Sequence, residues 1–279
     1  MDFLRCNREG PAKGFVNRLF LVLLLVPAVA SAAPQGWRQS LSPSKPGSFP
    51  LPREQKSRYR LGWFTFNAGE AEATFSKPRR DSVQLDVKGG TIGFVRNLWK
   101  LDASHHAVAQ ASTLRPVSIK QVETYSSRTI TTSVEFNNQG VLSLRTVNPP
   151  DPYPPGRQKF QFPNVYDLQT ALLFIRSQKL QPGDNLSFVV FPANAPYLAS
   201  IHVIGREKIE VKAGKYNALK CELHLQKINR EFGLEPHRKL KRAVAWVSDD
   251  ADRLLLRAEA DIFVGSVWAE LQSVKFNTP

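Results

Sequence analysis

The chain has 279 residues, of which 42% are hydrophobic and 22% charged, with a formal net charge of +14 and two cysteines. That apolar share is enough for a real core in one large domain or two small ones, and two cysteines exclude a disulfide-stapled scaffold. The positive balance favours anionic partners such as lipid head groups or acidic glycans, or else serves as a basic solvated surface.

Residues 1–32 read as a secretory signal. Arg5, Arg8, Lys13 and Arg18 form a basic start, Leu19 to Val26 an apolar run, and Pro27 ends it. Ala30-Ser31-Ala32 then offers a signal-peptidase site, with cleavage predicted after Ala32. Eight helical residues reach only about 12 Å, against about 30 Å of bilayer core, so the run is a removed leader and not an anchor. With four basic and two acidic residues gone, the remainder carries about +12. Cys6 leaves with the leader, and it precedes the apolar run where a lipoprotein signal needs it after. Cys221 is then alone, so the mature chain forms no intramolecular disulfide. No later stretch approaches 18 consecutive apolar residues, so no transmembrane segment is expected after cleavage. Export points to a periplasmic or secreted protein and makes nucleic acid an unsuitable partner.

Residues 33–57 carry Pro34, Pro43, Pro46, Pro50 and Pro52 among Ser, Gly, Gln and Lys, without apolar period. They predict a disordered, Pro-rich tether. A single β-rich domain is expected over 58–276, in two halves, 58–148 and 184–276. Tyr59, Leu61 and Trp63 alternate with polar or small residues, and Ile130, Val134 and Phe136 share one face of a Thr-rich strand. Leu219, Cys221, Leu223 and Leu225 alternate strictly with Lys220, Glu222, His224 and Gln226. Leu256 to Ile262 and Val267 to Leu271 repeat the period. One-sided alternation over many strands means an antiparallel sheet with one wet and one packed face. Between the halves, Leu168, Ala171, Leu172 and Ile175 fall at helical spacing, with Asn164 as the expected cap and Asp167 in the first turn. The fold class is therefore mainly β: a curved antiparallel sheet, sandwich or open barrel, with one packed helix near 164–178 behind a Pro-rich loop.

Sites are sparse. Asp249, Asp250 and Asp252 suit a tight turn better than a calcium loop, which needs more oxygen ligands and a glycine at its bend. His105 and His106 are adjacent and would point to opposite faces of a strand, and no zinc spacing occurs. There is no G-x-S-x-G elbow or phosphate loop, and Cys221 is expected to face the core as an inert thiol. No catalytic residue, metal or cofactor is expected. The basic segment 227–242 is the strongest lead. Lys227, Arg230, Arg238, Lys239, Lys241 and Arg242 crowd sixteen residues around Phe232, Leu234 and Leu240, with Pro236 barring a helix. That composition suits an anionic membrane or glycan surface, and equally the guarding of an exposed sheet edge. The aromatic loops 189–197 and 149–163 suit either the lining of a ligand groove or the cap of an open barrel.

The sequence also resembles the bacterial exported-protein family catalogued as domain of unknown function 3108, over nearly all of 58–276. The resemblance rests on Tyr59-x-x-x-Trp63 with Gly69 following, and on Val165-Tyr166-Asp167-Leu168 entering a helix that ends in Phe174-Ile175-Arg176. It continues in Val211-x-x-Gly214-x-Tyr216 and in Trp246-Val247-Ser248-Asp249-Asp250 with Arg253-Leu254. It implies an envelope protein rich in β structure and supplies no activity. The expected function is a non-catalytic binding module for an apolar or anionic envelope molecule (a lipid or glycan) or an envelope protein. A periplasmic structural or assembly factor without a small ligand, and a hydrolase of envelope polymers, stand as alternatives. An outer-membrane barrel fits poorly with the helix, the charged strands and a C-terminus that runs past Phe276.

Overall fold

The computed structural model describes residues 35–149, 156–237, 240–262 and 265–277. The leader of residues 1–32 lies outside the described residues. The alternating runs form strands, in chain order β1 (Gln55–Trp63), β2 (Phe66–Arg79), β3 (Ser82–Thr91), β4 (Leu101–Gln110), β5 (Pro116–Tyr125), β6 (Thr129–Asn137), β7 (Gly140–Asn148) and β8 (Gly156–Phe160). There follow β9 (Val165–Tyr166), β10 (Asn185–Val190), β11 (Tyr197–Val211), β12 (Gly214–Ile228), β13 (Leu234–Pro236), β14 (Leu240–Ser248), β15 (Leu255–Ile262) and β16 (Gly265–Phe276). Two helices interrupt them, α1 (Gly93–Leu98) and α2 (Leu168–Ser177), and a 3₁₀ turn, Gln35–Ser40, precedes them.

All sixteen described strands belong to one sheet. Its path runs from β8 back through β7 to β1, crosses to β16, and continues through β15, β14, β12, β11 and β10 to β9, with β13 beside β12. Pairing is antiparallel except between β9 and β10. The two sequence halves meet where the ends of the chain pair, Gln55 opposite Phe276 and Trp63 opposite Val267. The middle of the chain therefore supplies both edges of the sheet.

This connectivity forces curvature. Fifteen strands on the path, laid flat at about 4.8 Å spacing, would separate β8 from β9 by about 67 Å. Yet Phe160 ends β8 and Val165 begins β9, and five peptide steps span at most about 17 Å. The sheet must curl until its edges face one another. The result is open and barrel-like, one of the forms that the sequence leaves as alternatives. Ala107, Ile119, Val134 and Val141 on one limb share a core with Val189, Leu198 and Ile228 on the other.

Helix α2 fills the curl. Leu173 packs against Phe75, Val83, Ala109 and Leu114. Phe174 and Ile175 pack against Phe188, Val190, Ile201, Val203, Leu219 and Cys221 on the other side. Each such side chain, fully buried, contributes about 1.5–3 kcal/mol. The sequence places the helix correctly but not its cap or its inner face. Asp167 is the N-cap: it accepts from the Gln169 and Thr170 amides, and the Thr170 hydroxyl reaches back to the Asp167 amide. Asn164 instead takes φ 59 ahead of β9. Leu168 and Leu172, expected inside, are 48% and 40% exposed, while Leu173 and Phe174 are buried. Because the curled sheet surrounds the helix, two walls recruit apolar residues and the inner face is wider than one stripe.

The stretch expected as a tether is anchored from residue 35 onward. Trp37 is buried. Ser42 pairs with Ser187 through its amide and its hydroxyl, along the flank of β10 beyond two-residue β9. Phe49 donates its amide to the Ser177 carbonyl, and the Gly47 amide to the Ser177 hydroxyl. Prolines that forbid helix and ladder still allow an extended strap whose few apolar residues reach the core.

Candidate functional site

Among the described residues, no ladder joins β8 to β9, and aromatic side chains close the seam. Phe160 stacks on Phe162 at 5.8 Å and on Phe191 at 6.4 Å. Phe232, from the turn between β12 and β13, lies 5.9 Å from Phe160 and 6.2 Å from Phe162. That turn is built by Asn229, whose side-chain oxygen accepts the amides of Glu231 and Gly233, and it holds Phe232 at φ 61. The strap adds Trp37, stacked on Phe162 at 5.6 Å, with its indole N–H donating to the Phe232 carbonyl at 2.9 Å. Offset pairs of this kind add about 0.5–1.5 kcal/mol each beyond the buried area.

Beside this cluster lies a cavity of about 610 Å³, within the range of small-molecule sites, walled by Leu41, Phe162, Tyr166, Phe174, Phe188 and Phe232. One cation stands at its rim. The Arg38 guanidinium carbon sits 4.5 Å from the Phe232 ring centre and 5.8 and 5.9 Å from those of Trp37 and Phe162. Ring faces hold the guanidinium by cation–π attraction while its N–H edge remains available to an acceptor. Tyr166 is almost fully buried, and burial pushes its hydroxyl up to about 12, against a smaller downward pull from Arg115. It therefore stays a neutral donor, reaching the Ser44 carbonyl at 3.4 Å. The site is an apolar chamber with one positive group at its mouth. Among the described residues that line it there is no carboxylate or histidine.

The segment singled out by its charge is divided. Lys227 and Arg230 are exposed near the end of β12, and the turn that carries Arg230 delivers Phe232 to the seam. Arg242 is paired with Glu222 at 3.1 Å. It borders a different groove of about 370 Å³, where Lys220, Arg242 and Arg257 are balanced by Glu207, Glu259 and Asp261. Arg238 and Lys239, and the side chain of Lys241, lie outside the described residues. The sequence marks the aromatic loops 149–163 and 189–197 as groove candidates, and Phe160, Phe162 and Phe191 stand at the seam. It misses Trp37 and Arg38, whose one signal is a Trp-Arg pair in an otherwise polar stretch. The aspartates at 249–252 form a turn: Asp250 accepts from the Ser248 hydroxyl and from the amides of Asp252 and Arg253.

No curated protein matches the sequence. Among solved structures, a β-barrel-like protein of domain of unknown function DUF1849 from Brucella abortus superposes with a TM-score of 0.54 at 6% identity, over 82% of this chain and 100% of that one. That likeness supports the curved, barrel-like fold. Two others overlap more loosely. One, from Bacteroides fragilis and provisionally described as an exported protein with YmcC-like fold, gives a TM-score of 0.33 at 8% identity, covering 82% and 99%. The other, from Parabacteroides distasonis and provisionally described as a lipoprotein, gives 0.35 at 9% identity, covering 83% and 99%. Among the described residues, no helix is long and apolar enough to cross a membrane. The family model described as protein of unknown function DUF3108 matches residues 58–272, and the chain belongs to that family.

Proposed function

We propose that this protein is a non-catalytic periplasmic binding module whose seam cavity holds a single-chain anionic amphiphile of the cell envelope. The observation that carries the reading is the pairing of an aromatic chamber with one guanidinium at its rim. An alkyl chain would lie against Phe162, Phe174, Phe188 and Phe232. A carboxylate or phosphate head would meet the N–H edge of Arg38. The seam suits entry, because rings and a strap close it where a ladder would not open. Export after cleavage at Ala32 would place the module among such molecules.

Native mass spectrometry of residues 33–279 purified from a periplasmic extract tests this. The expected result is a retained fatty acid or lysophospholipid mass, or its uptake from added envelope lipids. A protein mass unchanged after that incubation would sink the proposal, and a co-purifying protein in its place would favour the assembly-factor reading. With ligand in hand, Arg38→Gln should weaken binding of the anionic amphiphile about tenfold. It should leave binding of the corresponding uncharged alcohol nearly unchanged.

A further inference from the structure

The five most exposed large apolar side chains among the described residues are Phe64, Phe66, Phe94, Leu98 and Trp99, between 49% and 71% exposed. All five stand at one end of the sheet, in two neighbouring connections: the β1–β2 turn and the β3–β4 loop that contains α1. The loop lies against β2, and its Ile92 amide donates to the Ala68 carbonyl at 3.0 Å. Polar groups pin its base. Arg96 clasps Asp102 through two hydrogen bonds, at 2.7 and 2.8 Å, and also donates to the Thr91 carbonyl. The Thr91 hydroxyl donates to the Trp99 carbonyl and accepts from the Leu101 amide. Yet α1 buries none of its residues. In the turn, Phe64 holds φ 51, which glycine or asparagine adopts at lower cost. Its carbonyl accepts from the Trp268 indole at 2.8 Å, and its ring lies over Gly265, where no Cβ would fit. A well-held backbone that shows its apolar side chains to solvent is the reverse of an ordinary loop, and such a patch marks a contact surface.

Cations flank the patch. Trp99 pairs with Tyr125 at 6.4 Å, and the Arg128 guanidinium carbon lies 5.6 Å from the Tyr125 ring centre. Lys100 follows Trp99 directly and is exposed, and Asp102, within electrostatic reach of it, is already held by Arg96. Exposed Trp, Phe and Leu beside Lys and Arg suit the head-group level of a bilayer, where rings meet the upper acyl chains and cations meet phosphates. The charge of about +12 that remains without the leader attracts an anionic surface and opposes pairing of this patch with a second copy of itself. Side chains that project from two turns also suit a fluid surface, which conforms to them. We propose that the 64–66 turn and the 92–100 loop form a docking rim for an anionic lipid surface, with Phe66, Phe94, Leu98 and Trp99 entering the head-group layer. The rim shares no residue with the seam cavity, so either can fail alone.

The test is cosedimentation of residues 33–279, free of the apolar leader, with vesicles of an equal mixture of phosphatidylethanolamine and phosphatidylglycerol, against vesicles of phosphatidylcholine alone. Binding to the anionic mixture should be about tenfold tighter or more, with a blue shift in tryptophan fluorescence that Trp99→Phe reduces. Phe94→Ser combined with Leu98→Ser should weaken that binding about tenfold or more with no fall in Tm, since neither side chain packs inside. Lys100→Gln and Arg128→Gln should each cost about fivefold on the anionic vesicles. No binding to either vesicle, equal binding to both, or binding undiminished by the paired serine substitutions overturns the proposal. So does self-association that the same pair abolishes, which would assign the rim to a second copy of the chain.

Discussion

Cys221 is on the inward face of β12, 3% exposed, and burial pushes its thiol up to about 11, with Arg253 pulling weakly the other way. A raised pKa means the folded state keeps a proton that the unfolded chain gives up first. The resulting stability is full below the unfolded thiol pKa of 9.0 and is lost as pH rises toward 11. Between pH 8 and 10 the loss is about 1 kcal/mol. Urea unfolding at the two pH values should show it, and Cys221→Ala, whatever its own cost, should lack that increment. Native Cys221 should also resist thiol reagents until the protein unfolds. Asp167 is completely buried and holds the first turn of α2 through Thr170 Oγ1 at 2.7 Å and the Gln169 amide at 2.8 Å. Asp167→Ala should reduce stability by about 1–2 kcal/mol, read as a lower denaturation midpoint at unchanged slope.

At the scale of elements, the strap and α2 depend on each other. Gly47 has no room for a side chain, because a Cβ there would overlap the Ser177 carbonyl at the end of α2. Trp37 fixes the other end of the strap on Phe162 and Phe232. Trp37→Ala should cost about 3–5 kcal/mol and release any ligand from the seam, both measurable on one purified sample by denaturation and native mass. A variant that lost stability and kept its ligand would separate the strap from the cavity. Elsewhere the edges are guarded by other means. β8 exposes Arg157, Gln158 and Lys159, which discourage pairing with another chain.

The whole molecule is held by pairs distant in sequence. β1 finds β16 across more than 200 residues, Gln55 opposite Phe276, and the Asn277 amide donates to the Glu54 carbonyl at 2.9 Å. Such topology predicts refolding on a timescale of seconds and not milliseconds. Removing residues 265–277 would leave β1, still paired with β2, and β15, still paired with β14, each with one unpaired edge in the middle of the sheet. The expected outcome is a broad, non-cooperative urea transition and aggregation, seen by circular dichroism and light scattering. A sharp transition for the truncated chain would show that the two limbs of the sheet fold independently.

Alternation at Leu219 to Leu225 and helical spacing near 168–175 were legible because each is a local period, written within one element. The same locality explains what was not legible. The inner face of α2 depends on two walls assembled from strands far away in the chain. The strap is ordered by Ser177, Ser187 and Phe232, none of them near it in sequence. The candidate cavity joins Arg38, Phe162 and Phe232, and no spacing rule links such positions. By itself the sequence determined a one-sided antiparallel sheet, one helix and an inward thiol, since those follow from patterns of neighbours. Tertiary structure alone decided that a single sheet curls its two edges together, which buried groups stay unpaired, and where an apolar cavity forms, because each depends on side chains that meet only after the chain ends have paired.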